Sequence, residues 1–223
     1  MLRQPSHFLS LSWRLYAPPE SLARSLLDQL LIAVSFVIAA YQDVKYRAVS
    51  DLVWIPALAG SAWGIYSLFP SLDFLLVKLG LLGGIALIFA VLGLVGEADA
   101  IALVFIGADP SRLSLIVPLG FAAVAAAVHI GYLAATGEGR GSKTIPIERF
   151  LKEQKWIPVA VVVDGVRREV NSDVNVARDE VEANPKEGTL VEAKYGVPTV
   201  AYLGLGYVAF LVYLFTLGNV PFF

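Results

Sequence analysis

Residues 74–95 read FLLVKLGLLGGIALIFAVLGLV, an almost unbroken apolar stretch that contains a single charge, Lys78. A helix needs about 20 such residues to cross roughly 30 Å of hydrocarbon. Similar apolar runs follow one another along the chain, and several approach that length. We therefore predict an all-α polytopic membrane protein with about six transmembrane helices. The other runs cover residues 26–40, 52–69, 100–108, 113–135 and 197–223.

The polar residues of the chain collect in one segment, which divides the sequence into four parts. The whole chain is 57% hydrophobic and 16% charged, whereas a soluble domain carries about 25% charged residues. Residues 1–25 are predicted to form an N-terminal tail that contains a short interfacial helix. Residues 26–136 hold helices one to five, residues 137–195 form a soluble cytoplasmic domain, and residues 196–223 form helix six.

The polar segment carries a clear strand pattern. Valine-rich residues 159–163 and 166–170 flank Asp164-Gly165, a dipeptide that favours the type I′ turn of a β-hairpin. Residues 174–176 and 189–191 are predicted to add short strands. The residues between them are rich in Asp, Glu, Asn and Lys, as solvated loops are. The sequence therefore predicts a small β-rich insert on a helical membrane body.

The placement of lysine and arginine predicts which side of the membrane the insert occupies. If the loop after the first helix faces the cytoplasm, that side holds twelve Lys and Arg residues and the opposite side four, with Lys78 left uncounted within its helix. Cytoplasmic loops are enriched in these residues. The three arginines of the N-terminal tail disagree with this orientation, because they lie on the opposite side. The distribution predicts a multi-pass protein of the cell membrane, with Lys45, Arg47 and the insert on the cytoplasmic side.

The sequence lacks several residue types on which catalysis often depends. It contains no cysteine, which excludes disulfides, thiolate nucleophiles and sulfur metal ligands. Its two histidines are His7 in the tail and His129 in an apolar helix, where an imidazole is more often a hydrogen-bonded packing residue than a ligand. We predict no metal site and no cofactor. A net charge of −2 without a basic stripe argues against nucleic-acid binding.

Carboxylates at the ends of the apolar runs are the strongest candidates for function, because charge at membrane depth is costly. Asp43 follows the first run directly, and Asp99 lies between two later runs. Only about ten residues separate Asp99 from Pro110, which is ~16 Å of helix and about half the hydrocarbon thickness. Asp99 is therefore expected at membrane depth, facing protein or water. Helix capping or turn formation explains three other acidic residues, Asp51, Asp73 and Asp109.

The two remaining aspartates can act together if the first and fourth helices pack against each other. Two neighbouring carboxyls cannot both ionise cheaply, so one pKa rises and the pair shares a proton. Such a pair can activate water as a base and protonate a leaving amine as an acid, which is aspartic-protease chemistry. The residues alone leave two alternatives open, namely simple helix capping and a proton- or ion-coupled transporter.

Two short motifs resemble those of a known enzyme family. The first helix ends in Asp43-Val44-Lys45-Tyr46-Arg47, and Gly96-Glu97-Ala98-Asp99 enters the fourth. They resemble the Asp-x-Lys-x-Arg and Gly-x-Gly-Asp motifs of type IV prepilin peptidases and archaeal preflagellin peptidases. Residues 195–198 are similar to the Gly-x-Pro approach to the last helix in that family, and the compact layout looks like its archaeal branch. Ala98 departs from the motif, because it replaces the second glycine and disfavours any positive-φ backbone.

The resemblance implies a membrane-embedded aspartic endopeptidase. Such an enzyme removes short basic leader peptides from prearchaellin- or prepilin-like precursors at the cytoplasmic membrane face. Its partners would be those leader peptides and the lipid bilayer. An acidic neighbourhood that includes Glu97 and Asp51 would attract the basic leader electrostatically. The site residues that it implies are the catalytic pair Asp43 and Asp99 and the supporting residues Lys45, Gly96, Glu97, Ala98 and Asp51.

Three other functions compete with this one. A presenilin-like intramembrane protease also pairs two membrane aspartates, but it uses more helices than this chain provides. A proton- or ion-coupled transporter also uses paired carboxylates, usually with internal repeats and broken helices, and no convincing repeat is present here. A non-catalytic assembly factor would use its acidic residues only to cap helices.

Overall fold

A computed structural model describes residues 19–68, 73–92, 96–137, 139, 141–171, 174–183 and 188–217. The helices before residue 137 and the last helix form a membrane body, and residues 141–195 form a sheet domain between them. The interfacial helix predicted in the tail lies outside the described residues. In chain order the elements are α1 (Pro19–Tyr46), α2 (Ile55–Leu68), α3 (Asp73–Val91), α4 (Glu97–Ala108), α5 (Val117–Thr136), β1 (Ser142–Pro146), α6 (Ile147–Lys152), β2 (Trp156–Val163), β3 (Val166–Glu169), α7 (Val174–Ala183), β4 (Leu190–Tyr195) and α8 (Thr199–Leu217), with short 3-10 helices at Asp51–Trp54 and Arg112–Leu115.

Within the described residues, four helices are long and apolar enough to cross a membrane, so the expected number of six is corrected to four. The other two apolar runs form α2 and α4, which have 14 and 12 residues. At about 1.5 Å per residue they reach ~21 and ~18 Å, short of the roughly 30 Å of hydrocarbon. The hydrophobic content of these two runs does not show that their helices are too short to span the membrane. The four spans are Leu26–Tyr46, Asp73–Val91, Leu113–Thr136 and Thr199–Thr216.

Helix α8 lies at the centre of the membrane body, packed against α1, α4 and α5. Two glycines allow this close approach. A Cβ atom at Gly204 would lie 2.9 Å from the Phe36 carbonyl oxygen of α1, and one at Gly206 would overlap the Pro118 carbonyl oxygen of α5. Helix α2 packs against α1 and α4, and α3 packs against α4. The two aspartate-bearing helices, α1 and α4, are therefore joined through α2 and α8, each of which contacts both.

Four buried aromatic rings, here called the aromatic row, cross the middle of the membrane body. Tyr207 of α8 stacks on Phe36 of α1 with ring centres 5.0 Å apart. Phe36 meets Trp54 edge-on at 5.7 Å, and Trp54 stacks on Phe105 of α4 at 5.5 Å. Such aromatic pairs contribute about 0.5–1.5 kcal/mol each beyond their area burial. The aromatic row thus stabilises the arrangement of α1, α4 and α8.

The sheet domain contains an antiparallel sheet with strand order β1-β4-β2-β3. The predicted hairpin is present, because β2 and β3 pair across Asp164-Gly165, whose φ angles of 51° and 79° suit a type I′ turn. The strand predicted at 189–191 is present within β4. The strand predicted at 174–176 is wrong, since these residues begin α7. Its buried Ala177 and Val181 are four residues apart, a helical spacing that three residues cannot reveal.

Candidate active site

Asp43 lies in the last part of α1 with its side chain turned into the protein. The residue is 8% exposed, and its Oδ2 accepts a hydrogen bond of 3.0 Å from the backbone N–H of Ala201. Ala201 is in the first turn of α8, where the backbone N–H groups have no partner within the helix and the helix dipole is positive. The carboxyl of Asp43 therefore caps a helix other than its own.

Asp99 is the third residue of α4, which is not one of the four spanning helices. Its Oδ2 accepts a hydrogen bond of 3.1 Å from the backbone N–H of Gly96, one half of a capping box. Burial raises the pKa of the Asp99 carboxyl to about 6, the Gly96 hydrogen bond opposes this, and the charge of Asp43 raises the pKa further. A carboxyl with this pKa holds a proton more readily than an ordinary aspartate.

The two aspartates are near enough for their charges to interact, although they come from helices that meet mainly through α2 and α8. Each makes a backbone hydrogen bond to the start of a helix, so capping describes part of what both residues do. Capping alone does not account for the charge interaction between them. That interaction favours a state in which one carboxyl is ionised while the other holds a proton.

The motif that enters α4 adopts ordinary backbone geometry. Gly96 has φ −73° and ψ 163°, an extended conformation open to any residue. Ala98 is the second residue of α4, partly buried, and packs against the hydrophobic core of the membrane body. Because a helical position needs no positive φ, alanine at 98 imposes no backbone strain. Glu97, the first residue of α4, is exposed.

The other two predicted supporting residues lie on the surface of the membrane body. Lys45 is exposed; its Nζ donates to the Tyr41 hydroxyl at 2.9 Å and lies 4.9 Å from the ring centre of Tyr46. Asp51 is exposed and begins the 3-10 helix that precedes α2. The cap expected from its neighbour Ser50 has no side-chain hydrogen bond. Neither Lys45 nor Asp51 therefore has a visible role in placing the aspartates.

A group of polar and aromatic side chains joins this end of the membrane body to the sheet domain. The guanidinium of Arg47, just after α1, lies against Tyr195, the last residue of β4. The Tyr195 hydroxyl lies 3.5 Å from Nε2 of His129 in α5, and Nδ1 of His129 is hydrogen-bonded to the hydroxyl of Tyr202 in α8. His129 thus has the hydrogen-bonded packing role expected from the sequence. It also lies at the contact between two parts of the protein.

The structure contains a second acidic group that sequence reasoning missed, here called the buried polar cluster: Asp28, Lys78, Asp109, Ser111, Ser114 and Tyr207. Nζ of Lys78 donates to the carbonyl oxygens of Asp109 and Ser111 and to Oγ of Ser114. The hydroxyl of Tyr207 donates to Oδ2 of Asp109. Asp109 also accepts from the Ser111 N–H, so the predicted turn is present but fully buried.

The isolated charges within apolar runs are the sequence feature from which this cluster could have been predicted. Lys78 interrupts the third run and Asp28 the first, and both are fully or almost fully buried. Charges at such positions usually face a partner inside the bundle. Oδ2 of Asp28 is buried without a hydrogen-bond partner in the described part of the chain, and it packs where a Cβ at Gly64 would otherwise lie, 2.8 Å away.

The buried polar cluster and the Asp43 end of the membrane body lie at different positions along α1. Asp28 and Asp43 are 15 residues apart on this helix, and the apolar ring of Phe36 lies between them in sequence. Tyr207 belongs to both the aromatic row and the cluster, because its ring stacks on Phe36 and its hydroxyl donates to Asp109. The two acidic groups are therefore distinct sites, and the aromatic row touches the buried polar cluster at Tyr207.

The donor groups of the described residues do not assemble into a metal centre. Over residues 19–217, excluding the gaps in that range, no cluster of three or more His, Cys, Asp or Glu side chains is arranged to hold a metal ion. The Asp43 end of the membrane body offers the carboxyls of Asp43 and Asp99. Comparisons of the chain with protein-family models, with curated proteins and with solved structures find no match.

Proposed function

We propose that the protein is a membrane-embedded aspartic endopeptidase that removes short basic leader peptides from prearchaellin- or prepilin-like precursors. The observation that carries the proposal is that the carboxyls of Asp43 and Asp99, hydrogen-bonded at the starts of α8 and α4, interact electrostatically at the end of the membrane body that adjoins the sheet domain. Four helices long and apolar enough to cross a membrane fit a bilayer enzyme. In the proposed orientation this end faces the cytoplasm, where the leader peptide of a precursor would lie.

The two carboxyls divide the chemistry between them. Asp43, hydrogen-bonded to the N-terminus of α8, is the base, and Asp99, with its raised pKa, is the acid. Asp43 takes a proton from water as the water oxygen attacks the peptide carbonyl carbon, and Asp99 protonates the carbonyl oxygen. The C–N bond then breaks as Asp43 passes its proton to the leaving amine, and Asp99 recovers its own proton from the new carboxyl group.

Exposed acidic residues near this end supply a reason for selecting a basic leader. Glu97 is exposed two residues before Asp99, and Asp51 is exposed just after the end of α1. Within the described part of the chain neither side chain has a hydrogen bond, so both can interact with lysine or arginine of a leader. Such exposed contacts raise the association rate more than the affinity, and salt weakens them.

A cleavage assay with matched asparagine variants tests the proposal. The purified protein is mixed with a prearchaellin-like precursor, alongside Asp43→Asn, Asp99→Asn and the control Asp164→Asn. Asp164 lies in the hairpin turn of the sheet domain at φ 51°, a conformation that asparagine also adopts readily. We expect wild type and the control to cut equally and both site variants to be inactive. An intact leader with wild type, or normal cutting by either site variant, contradicts the proposal.

A proton- or ion-coupled transporter is the second candidate, and the buried polar cluster is the observation that favours it. Asp28 and Lys78 are ionisable residues inside spanning helices, which are common in proton relays. The apolar rings of Phe36 and Phe105 in the aromatic row carry no polar group for a proton path. Proton uptake by proteoliposomes, measured for wild type and Asp28→Asn, separates the two functions: loss of uptake in the variant supports transport, and no uptake by wild type excludes it.

The presenilin-like alternative differs from the proposed peptidase in where it cuts. A presenilin-like enzyme cuts within the transmembrane segment of its substrate, and a leader peptidase cuts at the junction between the leader and the mature chain. Mass spectrometry of the products from the same cleavage assay locates the cut. Products that end within the apolar segment of the precursor would favour the presenilin-like enzyme.

A further inference from the structure

Arg47 ends α1 in a conformation that arginine seldom adopts. Its φ is 56°, in the left-handed region, where helix ends usually place glycine. Both its backbone N–H and its guanidinium Nη1 donate to one acceptor, the backbone carbonyl oxygen of Asp43, at 3.1 and 3.0 Å. Non-glycine residues keep such a backbone only where surrounding contacts hold it, and they are concentrated at functional sites.

The same guanidinium also reaches the sheet domain. Its Nη2 lies 3.5 Å from the Tyr195 hydroxyl, and its central carbon lies 5.6 Å from the centre of the Tyr195 ring. The chain then passes close to the arginine stem, because a Cβ at Gly196 would lie 3.4 Å from Cδ of Arg47. The planar fork of arginine can hydrogen-bond in two directions while it stacks on a ring, and the single ammonium of lysine cannot.

These contacts close into a ring of interactions that begins and ends at Asp43. From Tyr195 the ring continues to His129, whose Nε2 lies 3.5 Å from the Tyr195 hydroxyl, and then to the hydroxyl of Tyr202. Tyr202 follows Ala201, whose N–H donates to Oδ2 of Asp43 at 3.0 Å. The ring therefore holds Asp43 at two points, the backbone carbonyl oxygen and the carboxyl oxygen, through β4, α5 and α8.

We propose that Arg47 is a positioning residue that holds the sheet domain against the end of α1 and thereby fixes the orientation of the Asp43 carboxyl. The effect on catalysis rests on the proposed function, whereas the joint, the contact between the sheet domain and the membrane body, does not. A displacement of β4 would reach Asp43 by two routes, through Arg47 to its backbone and through His129 and α8 to its carboxyl. The sheet domain would in this way control the alignment of the base.

The catalytic consequence is tested with three arginine variants. Arg47→Gln removes the charge and the fork, Arg47→Lys keeps the charge alone, and Arg168→Gln is the matched control. Arg168 is in β3 with its side chain 81% exposed and paired to Glu180 at 3.3 Å. We expect Arg47→Gln to lower kcat on the order of 10- to 100-fold, as misplacement of a catalytic group by about 1 Å does. We expect KM to change little, because Arg47 does not contact the proposed leader site.

The pH profile separates positioning from a general loss of structure. In Arg47→Gln the pH of half-maximal activity on the acidic side is expected to rise, because a positive charge near the Asp43 carboxylate is lost. Arg47→Lys is expected to restore that pH and to recover kcat only in part. Arg168→Gln is expected to alter neither quantity. An unchanged profile and kcat in Arg47→Gln would overturn the positioning role.

A distance measurement tests the joint without reference to activity. The chain has no cysteine, so Ala134→Cys in α5 and Glu169→Cys in β3 provide two unique and exposed sites for spin labels. Double electron–electron resonance on the labelled full chain is expected to give a narrow distance distribution that Arg47→Gln broadens and Arg168→Gln leaves narrow. An equally narrow distribution in Arg47→Gln overturns the inference. A broadened distribution beside an intact leader with wild type would instead show that the proposed function is wrong and the joint is right.

Discussion

Replacement of Lys78 by methionine is expected to lower the free energy of unfolding by about 3–5 kcal/mol, because a buried ammonium that satisfies three acceptors beside the Asp109 carboxyl is lost. Lys78 is 1% exposed, and its Nζ donates to the carbonyl oxygens of Asp109 and Ser111 and to Oγ of Ser114. Methionine fills a similar volume but donates no hydrogen bond. The three acceptors and the nearby carboxyl of Asp109 would remain buried without the ammonium.

The measurement is equilibrium unfolding in mixed micelles, followed by circular dichroism as a denaturing detergent is added. Lys152→Met is the matched control, because Lys152 is exposed in the short helix α6, and exposed substitutions usually change stability by less than about 0.5 kcal/mol. A loss below about 1 kcal/mol in Lys78→Met would refute the reasoning, since it would mean that the ammonium is not needed to satisfy the cluster.

A double variant shows whether the loss arises from the charge pair. If Lys78 and Asp109 stabilise each other, Lys78→Met with Asp109→Asn is expected to cost less than the two single changes taken together, by roughly 1–3 kcal/mol. The reason is that the double variant leaves no buried charge without its partner. Strict additivity of the two changes would place the loss in packing and would contradict the electrostatic account.

Three further outcomes follow from the structure. Gly206→Ala is expected to cost about 1–3 kcal/mol in the same unfolding assay, because its Cβ would overlap the Pro118 carbonyl oxygen, whereas a Cβ at Gly120 meets no described atom within 4 Å and Gly120→Ala should cost nothing. Gly165→Ala, at φ 79°, is expected to lower the stability of the sheet domain by about 1 kcal/mol; an unchanged melting temperature would contradict this. The kcat/KM for cleavage is expected to fall as pH rises through about 6, because the acid form of Asp99 is present below its raised pKa and lost above it; a level profile up to pH 8 would contradict it.

The membrane body could be predicted from apolar runs, but the number of spans could not. The run at 100–108 and the run at 52–69 have the hydrophobicity of spanning segments. The helix α2 begins only after the 3-10 helix Asp51–Trp54, and α4 ends at the buried turn after Ala108. The turn after α4 is held by the hydrogen bonds of Lys78 to Asp109 and Ser111, which no local pattern contains.

The candidate aspartates could be named from the sequence because charge is rare at membrane depth. The groups that contact them in the folded protein could not be predicted. The partner of Asp43 is the backbone N–H of Ala201, 158 residues later, and the joint between Arg47 and Tyr195 spans a similar distance in sequence. Asp28 lies near the edge of an apolar run, and the charge interaction between Asp28 and Asp109 depends on tertiary structure that no local pattern contains.

The sheet domain shows the same division between local and distant information. Asp164-Gly165 encodes its turn locally, so the hairpin could be predicted. The helix α7 could not be predicted in this way. Its buried apolar stripe consists of Ala177 and Val181, and two residues four apart are too few to reveal a helical period.

The central claim is that Asp43 and Asp99 act as one catalytic unit, and a double-variant comparison of cleavage rates tests it most directly. Groups that act together are strongly non-additive, so losing one is nearly as damaging as losing both. The rates of Asp43→Asn, Asp99→Asn and the double variant should therefore be equally low with a prearchaellin-like precursor. A double variant whose rate, relative to wild type, falls by the product of the two single-variant losses would contradict the claim, as would full activity in either single variant.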